Sequence, residues 1–441
     1  MTSTTTPAAP SPAPTAEGRA PLMLGLAALG FALNFWAWAL LSPLAPGLKE
    51  SLHLTAFQQA LVVAVPVVVG SVGRIPVGAI TDRLGGRVMF PVVSFATILP
   101  VLFLGFLGLD SLAAVLAGGF FLGIGGTAFA VGVPFVSAWF PPERRGLALG
   151  IFGAGMGGTA ISALTTVKLT SGIDRTAPFV ITAVALAAYG VVAALVLRDA
   201  PGRPAHPASL VTKMNRAARL RITWQASVLY AIGFGGYVAF SVYLPTYLKS
   251  EYALTPADAA NRMAGFVLLA VLMRPLGGWL SDRIGPISVL AGAFATVTAG
   301  AMVQAAAPGL APVGTIAFLA MAAALGTASG AVFALVALRA PADQVGAVTG
   351  IVGAAGGLGG FVPPLLLGAL YGARGSYALG LLALAVVAAS MVLLDLTVVR
   401  RAGRQMPAAA ATSVLSAASA VAASERAAVT SRSRTGTTTS R

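Results

Sequence analysis

Arg74 and Arg274 are the residues in this sequence best placed to do chemistry. Arg74 lies inside a long apolar run, in Gly70-Ser71-Val72-Gly73-Arg74-Ile75-Pro76-Val77-Gly78-Ala79-Ile80-Thr81-Asp82-Arg83-Leu84-Gly85. If the run is a membrane helix, Arg74 precedes Asp82 by about 12 Å at 1.5 Å per residue. An arginine at that depth costs roughly 3 kcal/mol on insertion scales. It cannot escape the cost by losing its proton. Arg274 stands in Met273-Arg274-Pro275-Leu276-Gly277-Gly278-Trp279-Leu280-Ser281-Asp282-Arg283-Ile284-Gly285. Both stretches read R-x3-G-x3-D-R-x-G, and every shared residue is displaced by 200 positions. The chain therefore contains two copies of one unit, each burying one arginine. A guanidinium is planar and forked, so it binds small planar or trigonal oxyanions through paired hydrogen bonds. The competing account is structural: an arginine capping carbonyls, or one snorkelling to the surface. A reach of ~12 Å exceeds the ~6–7 Å of the side chain, which disfavours snorkelling.

No compensating carboxylate sits beside these arginines. The 13 acidic residues fall in tails, loops or span ends, and His53 and His206 fall in loops. The spans therefore offer no evident titratable relay, and a bound anion is left as the counter-ion. That favours anion exchange, or symport in which a proton travels by tyrosine or water. Asp82-Arg83 and Asp282-Arg283 stand at helix ends, where they read as conformational latches; the alternative is ordinary orientation charges. The apolar spans also hold Phe129, Tyr237 and Phe240, whose rings could pack in the core or sandwich a flat anion. Thr127 and Thr327, in the recurring Gly-Thr-Ala triplets, join the expected anion contacts. Gly150, Gly153 and Gly157 recur as Gly350, Gly353 and Gly357. Small residues four apart let membrane helices approach closely, so these glycines suit packing, or a smooth face along a narrow route.

The elements that must position these residues follow from composition. The chain is 57% hydrophobic and 9% charged, against about 25% charged for a soluble domain. With a mean hydropathy of +0.88, this is a polytopic membrane protein. Apolar spans are expected near 22–45, 57–80, 88–108, 111–139, 146–167 and 177–197. Six more follow near 223–248, 261–281, 286–307, 311–338, 345–371 and 376–398. The predicted fold is all-α, twelve transmembrane helices in two pseudo-symmetric six-helix bundles. The bundles cover 21–197 and 223–399, joined by a cytoplasmic linker over 198–222. Residues 1–20 and 400–441 are rich in Ala, Ser, Thr and Pro and are expected to be disordered tails. The first 20 residues do not resemble a signal peptide. With both termini and the linker on one side, that side collects 20 of 28 Lys and Arg residues. It is the cytoplasmic side of a cell membrane, plasma or inner. The net charge of +15 thus reports orientation; a basic stripe with interleaved aromatics, as nucleic acid would require, is missing.

Enzyme readings fare badly. The sequence has no Gly-x-Ser-x-Gly, no Walker loop, no cysteine and no His or carboxylate cluster with metal spacing. No catalytic residue, metal or cofactor is expected. The expected partners are a small anion and the lipid bilayer, and the expected state is a monomer.

Gly78 to Arg87, with its second copy at Gly278 to Gly285, resembles the loop motif of the major facilitator superfamily. Within it the closest resemblance is to the nitrate/nitrite porter family, over about 22–398. Arg74 and Arg274 match that family's arginines in spans two and eight. Gly123-Ile124-Gly125-Gly126-Thr127-Ala128-Phe129, running on to Phe140-Pro141, resembles its span-four region and puts Phe129 on the substrate-stacking aromatic. Gly346 to Gly360 and then Phe361-Val362-Pro363-Pro364 resemble its second glycine signature. Phe240 falls where some members carry a substrate-facing tyrosine. The resemblance implies secondary transport of nitrate or nitrite by alternating access, with exchange favoured over proton symport. The rival is carriage of another small anion such as cyanate, or of an organic anion or drug. Members often carry asparagine in the span-four and span-five signatures; here Ala128, Phe152, Met156 and Gly157 stand nearest. A lost amide removes a neutral donor that would help discriminate the anion.

Overall fold

The computed structural model describes residues 17–201, 210–341 and 344–399. Among the described residues, twelve helices are long and apolar enough to cross a membrane. They are α1 (Ala20–Ser51), α2 (Ala56–Gly78), α3 (Gly86–Phe106), α4 (Leu112–Trp139), α5 (Ala148–Gly172) and α6 (Ala177–Val196). The second set is α7 (Arg221–Tyr252), α8 (Pro256–Ile284), α9 (Pro286–Ala305), α10 (Leu310–Arg339), α11 (Ala347–Arg374) and α12 (Ala378–Thr397). Large apolar side chains stay exposed around their outsides, Leu99 at 73% and Leu272 at 71% among them. A belt of that kind is untenable in water and natural in lipid. Short connections make successive spans antiparallel. The described parts of the linker, 198–201 and 210–220, mark one face of the first unit, the linker face; the ends of α1, α7 and α11 reach the other, the far face.

The repeat is visible in backbone detail. Thr55 caps α2 with its side chain, in a capping box with Gln58. Thr255 caps α8 by accepting from the Asp258 N–H. His53 and Ala253, again 200 apart, are both left-handed, at φ 51° and 53°. Gly85 and Gly285 end the arginine-bearing stretches at φ 89° and 85°, a region that side chains avoid and glycine tolerates. These glycines are therefore dictated by the turn itself.

Three departures from the expected pattern matter. Helix α1 extends through Lys49 to Ser51, where a loop was expected, after a break at Ala39 and Leu40. The chain of α2 breaks at Gly73, so Arg74 opens a new helical segment, Arg74–Leu84. The linker contains a helix of its own, Leu210–Ala218; its basic, proline-flanked composition gave no sign of one. Residues 1–16, 202–209 and 400–441, which hold most of the expected tails and part of the linker, lie outside the described residues. The described residues fall into two compact units divided between Val392 and Leu393. The site lies wholly in the first.

Candidate functional site

Arg74 is 8% exposed. Its Nε donates to the Gly126 carbonyl of α4 at 3.3 Å, and its Nη1 donates to the Gly353 carbonyl of α11 at 2.9 Å. Its guanidinium carbon lies 5.2 Å from the Phe129 ring centre and 5.9 Å from that of Phe234. Arg274 is half-buried. Its Nη2 donates to the Tyr230 hydroxyl at 2.8 Å, and its Nη1 meets the Met156 sulfur. Its guanidinium carbon lies 5.5 Å from the same Phe234 ring. Each arginine thus reaches across to the glycine-rich span of the other repeat. Arg74 on α2 reaches α11, and Arg274 on α8 reaches α5. These span pairs exchange under the 200-residue offset, so one arrangement is built twice.

Phe234 joins the two arginines. Arginine over a ring face is favourable by about 0.5–2 kcal/mol, most when desolvated. The ring therefore partly neutralises two charges that would otherwise repel at close range. Phe234 is itself held by Tyr230, stacked at 4.9 Å and 4°, and by Tyr237 at 5.8 Å and 24°. Positions 230, 234 and 237 recur at helical spacing, so the three rings line one side of α7. On the other side of the site, Phe129 sits 5.7 Å from Phe31 and 6.1 Å from Phe152.

The glycines decide how closely the helices approach. A Cβ on Gly357 would lie 2.3 Å from the Ser71 hydroxyl and 3.0 Å from Arg74 Nη1. One on Gly353 would come within 3.2 Å of Phe129. One on Gly356 would strike the Tyr230 ring at 2.2 Å. Gly153 leaves Arg274 Nη1 at 3.8 Å from its would-be Cβ. Gly150, Gly157 and Gly350 face open space, with nothing within 4 Å.

The far face, by contrast, is sealed. Ser42 Oγ donates to the Val242 carbonyl at 2.6 Å, and Gln59 Nε2 donates to Thr246 Oγ1 at 3.1 Å. Lys249 and Glu50 pair at 2.6 Å. Gly368 on α11 sits against Ala60 and the Ala56 carbonyl of α2, within 2.6 and 2.8 Å of its would-be Cβ. The conformation is closed on the far face.

The expected site residues divide as follows. Arg74, Arg274, Phe129, Gly153, Gly353 and Gly357 are brought together. Thr127 is buried beside them, but its hydroxyl donates to the Ile124 carbonyl at 2.6 Å and its methyl faces Gly73. The Thr327 backbone packs on Gly277, 2.2 Å from a would-be Cβ there. Phe240 is not part of the cluster. It packs on Phe266 and Phe318, at 5.4 and 6.2 Å, because it lies six residues beyond Phe234 toward the far face. Arg83, Asp282 and Arg283 are exposed at the linker face, with Arg283 lying 4.1 Å over the Trp279 ring. The side chain of Asp82 lies outside the described residues. Sequence reasoning missed Tyr230, Phe234 and Ser71. The first two had a signal, an aromatic stripe at positions 230, 234 and 237 in a span rich in glycine. Among the described residues no group of three or more His, Asp or Glu could hold a metal.

Comparison with known proteins identifies the family. The model of the Major Facilitator Superfamily matches residues 27–364 and 226–431. The chain is 47% identical over 358 residues to the "Probable nitrate/nitrite transporter NarK2" of Mycobacterium tuberculosis, covering 81% of this chain and 91% of that one. It is 37% identical over 373 residues to the "Nitrite extrusion protein" of Bacillus subtilis, covering 84% and 93%. Among solved structures, a bacterial homolog of the human lysosomal transporter Spinster, inward-facing and occupied, superposes with a TM-score of 0.68. That match has 16% identity and covers 85% of this chain and 96% of the other; it speaks for the fold alone. Twelve apolar helices, a doubled arginine motif and these matches make the chain a multi-pass membrane transporter, not an enzyme, and it belongs to the major facilitator superfamily and, within it, to the nitrate/nitrite porter family.

Proposed function

We propose that this protein exchanges small inorganic anions, nitrate and nitrite first, across the cell membrane by alternating access. The observation that carries the proposal is the pair of guanidinium groups, one from each repeat, 5.9 and 5.5 Å from the centre of the Phe234 ring. An oxyanion between Arg74 and Arg274 replaces partners that carry no charge, a thioether, a tyrosine hydroxyl and carbonyl oxygens. It accepts from both forks at once, and so draws the halves 21–197 and 223–399 together. Phe129 and Phe234 supply flat walls, and Gly153, Gly353 and Gly357 keep the slot narrow. The names of the relatives support nitrate and nitrite as substrates.

The linker face is the cytoplasmic one on this reading, with both termini inside, and the protein works as a monomer in nitrate assimilation. The sealed far face is then the outer one. Asp82-Arg83 and Asp282-Arg283 close that side in the opposite state. Met156 favours a second substrate reading. A thioether accepts weakly and donates nothing, so the Arg274 side discriminates among anions by size more than by directed hydrogen bonds. Cyanate or another small anion fits that slot as well. Counterflow in proteoliposomes loaded with nitrite or nitrate tests the proposal, with labelled nitrate, nitrite and cyanate outside. Label should accumulate against its gradient for at least one of the first two. Accumulation with an organic anion alone would overturn it.

A further inference from the structure

Four contacts between the repeats leave α7 at successive levels. Nearest the site, the Tyr237 hydroxyl lies 3.3 Å from Thr159 Oγ1 of α5. Then Val242 accepts from Ser42, Thr246 accepts from Gln59, and Lys249 pairs with Glu50. From Tyr237 to Lys249 the ladder climbs about 18 Å at 1.5 Å per residue. The upper contacts hold the far face shut. The lowest one differs because both its ends touch the site.

Tyr237 stacks on Phe234, the ring that lies against both guanidinium groups. Thr159 Oγ1 also donates to the Met156 carbonyl at 3.0 Å, and the Met156 sulfur meets Arg274. The threonine hydroxyl has one proton, and it is spent on Met156. Tyr237 is therefore the donor of the 3.3 Å contact. Thr159 and Tyr237 are 0% and 1% exposed, so neither is solvated while the far face is closed. A buried donor that loses its acceptor costs more than the bond itself contributed. Opening the far face parts the two helices and hands both groups to water.

We propose that Tyr237 and Thr159 are a positioning pair that couples occupancy of the arginine site to opening of the far face. An anion that shifts Arg274 off Met156, or reorients Phe234, moves one end of the contact and weakens the lowest hold on the seal. This rests on the alternating-access reading above.

The chain has no cysteine, so a single introduced cysteine reports without background. Ala45 is buried in α1, three residues from Ser42. In proteoliposomes of Ala45→Cys, an impermeant maleimide applied from the far face reads opening as a labelling rate. Tyr237→Phe keeps the ring and removes the donor; it should raise the rate roughly three- to tenfold, the population shift expected from one lost hydrogen bond. Thr159→Val orphans the tyrosine hydroxyl in the closed state and should raise it further. The double variant should fall back to the Tyr237→Phe rate, because the orphan is gone. Thr159→Ser restores the acceptor and should label at the parent rate. Nitrate should raise labelling in the parent and do so less in Tyr237→Phe. Glu50→Gln with Gln59→Leu, which cuts two upper contacts, serves as the reference for an opened seal. If that reference labels faster while Tyr237→Phe and Thr159→Val match the parent, the coupling is overturned and alternating access stands. If Thr159→Ser labels as fast as Thr159→Val, bulk rather than the hydroxyl is responsible, and the coupling again fails. If the parent is never labelled from the far face, with or without nitrate, and counterflow is absent, the alternating-access reading itself fails.

Discussion

Arg74 and Arg274 occupy equivalent places in the two repeats yet live in different surroundings. Arg74 is buried under Phe129 and bonded to two carbonyls. Arg274 is half-buried and leans on a tyrosine hydroxyl and a thioether. Arg74→Lys or Arg274→Lys keeps the charge and loses the fork, so each should abolish counterflow while expression and thermal unfolding in detergent stay near the parent. Transport at a near-parent rate in either variant would remove the paired-fork reading. A sharper contrast lies in the signature glycines. Gly357→Ala drives a methyl to 2.3 Å from Ser71 and 3.0 Å from Arg74 Nη1, whereas Gly150→Ala meets nothing within 4 Å. Counterflow should be lost in the first and largely kept in the second. Equal loss in both would mean that these glycines act through helix flexibility and not through space at the arginine.

At the scale of the element, irregularity concentrates around the site. The chain breaks at Gly73 just before Arg74, and α4 and α5 pass through 3-10 turns at Gly123–Thr127 and Ala154–Gly157. Tightened turns re-aim side chains and often mark functional positions. They also explain why residue spacing could place the arginines but not every contact. The twelve spans were legible because each is a long apolar run. The doubled motif was legible because an arginine in such a run is costly. Phe240 and Phe234 were not separable, since both are phenylalanines on α7 and only the depth of the helix decides which meets the guanidinium groups. The linker helix was illegible because its partners lie elsewhere in the chain. The two loop glycines were legible as a motif, and the structure supplies their reason in φ angles of 89° and 85°. A side chain at such a φ costs roughly 1–2 kcal/mol. Gly285→Ala should therefore lower the unfolding temperature in detergent, while Gly278→Ala, at an ordinary φ and with open space at its Cβ, should not. Equal melting temperatures would place the cost of Gly285 elsewhere.

For the whole molecule the open question is whether the empty carrier can turn over. The two guanidinium carbons, each within 5.9 Å of one ring centre, are no more than about 12 Å apart. Two unit charges ~10 Å apart at an effective dielectric of ~20 repel by roughly 2 kcal/mol. In the state described here Phe234, Phe129 and cross-repeat acceptors offset that repulsion. Closing the linker face with no anion between them would leave both charges in a drier site, where repulsion grows. An anion between them turns the repulsion into attraction. Closure should thus be slow when empty and fast when loaded, which is preferred exchange. Efflux of nitrate from loaded proteoliposomes should accelerate when nitrate or nitrite is present outside. The process should depend weakly on pH. Asp110, held below the usual carboxylate range by the Arg175 guanidinium that bonds it, stays ionised across the neutral range. Asp174, held down by Thr176, behaves the same way. The stability these carboxylates lend is complete above their unfolded values and lost only as pH falls through the lowered ones, so it is flat between about pH 5.5 and 8. Efflux that ignores external anion and follows an imposed pH gradient would sink exchange and require a proton path through the tyrosines of α7.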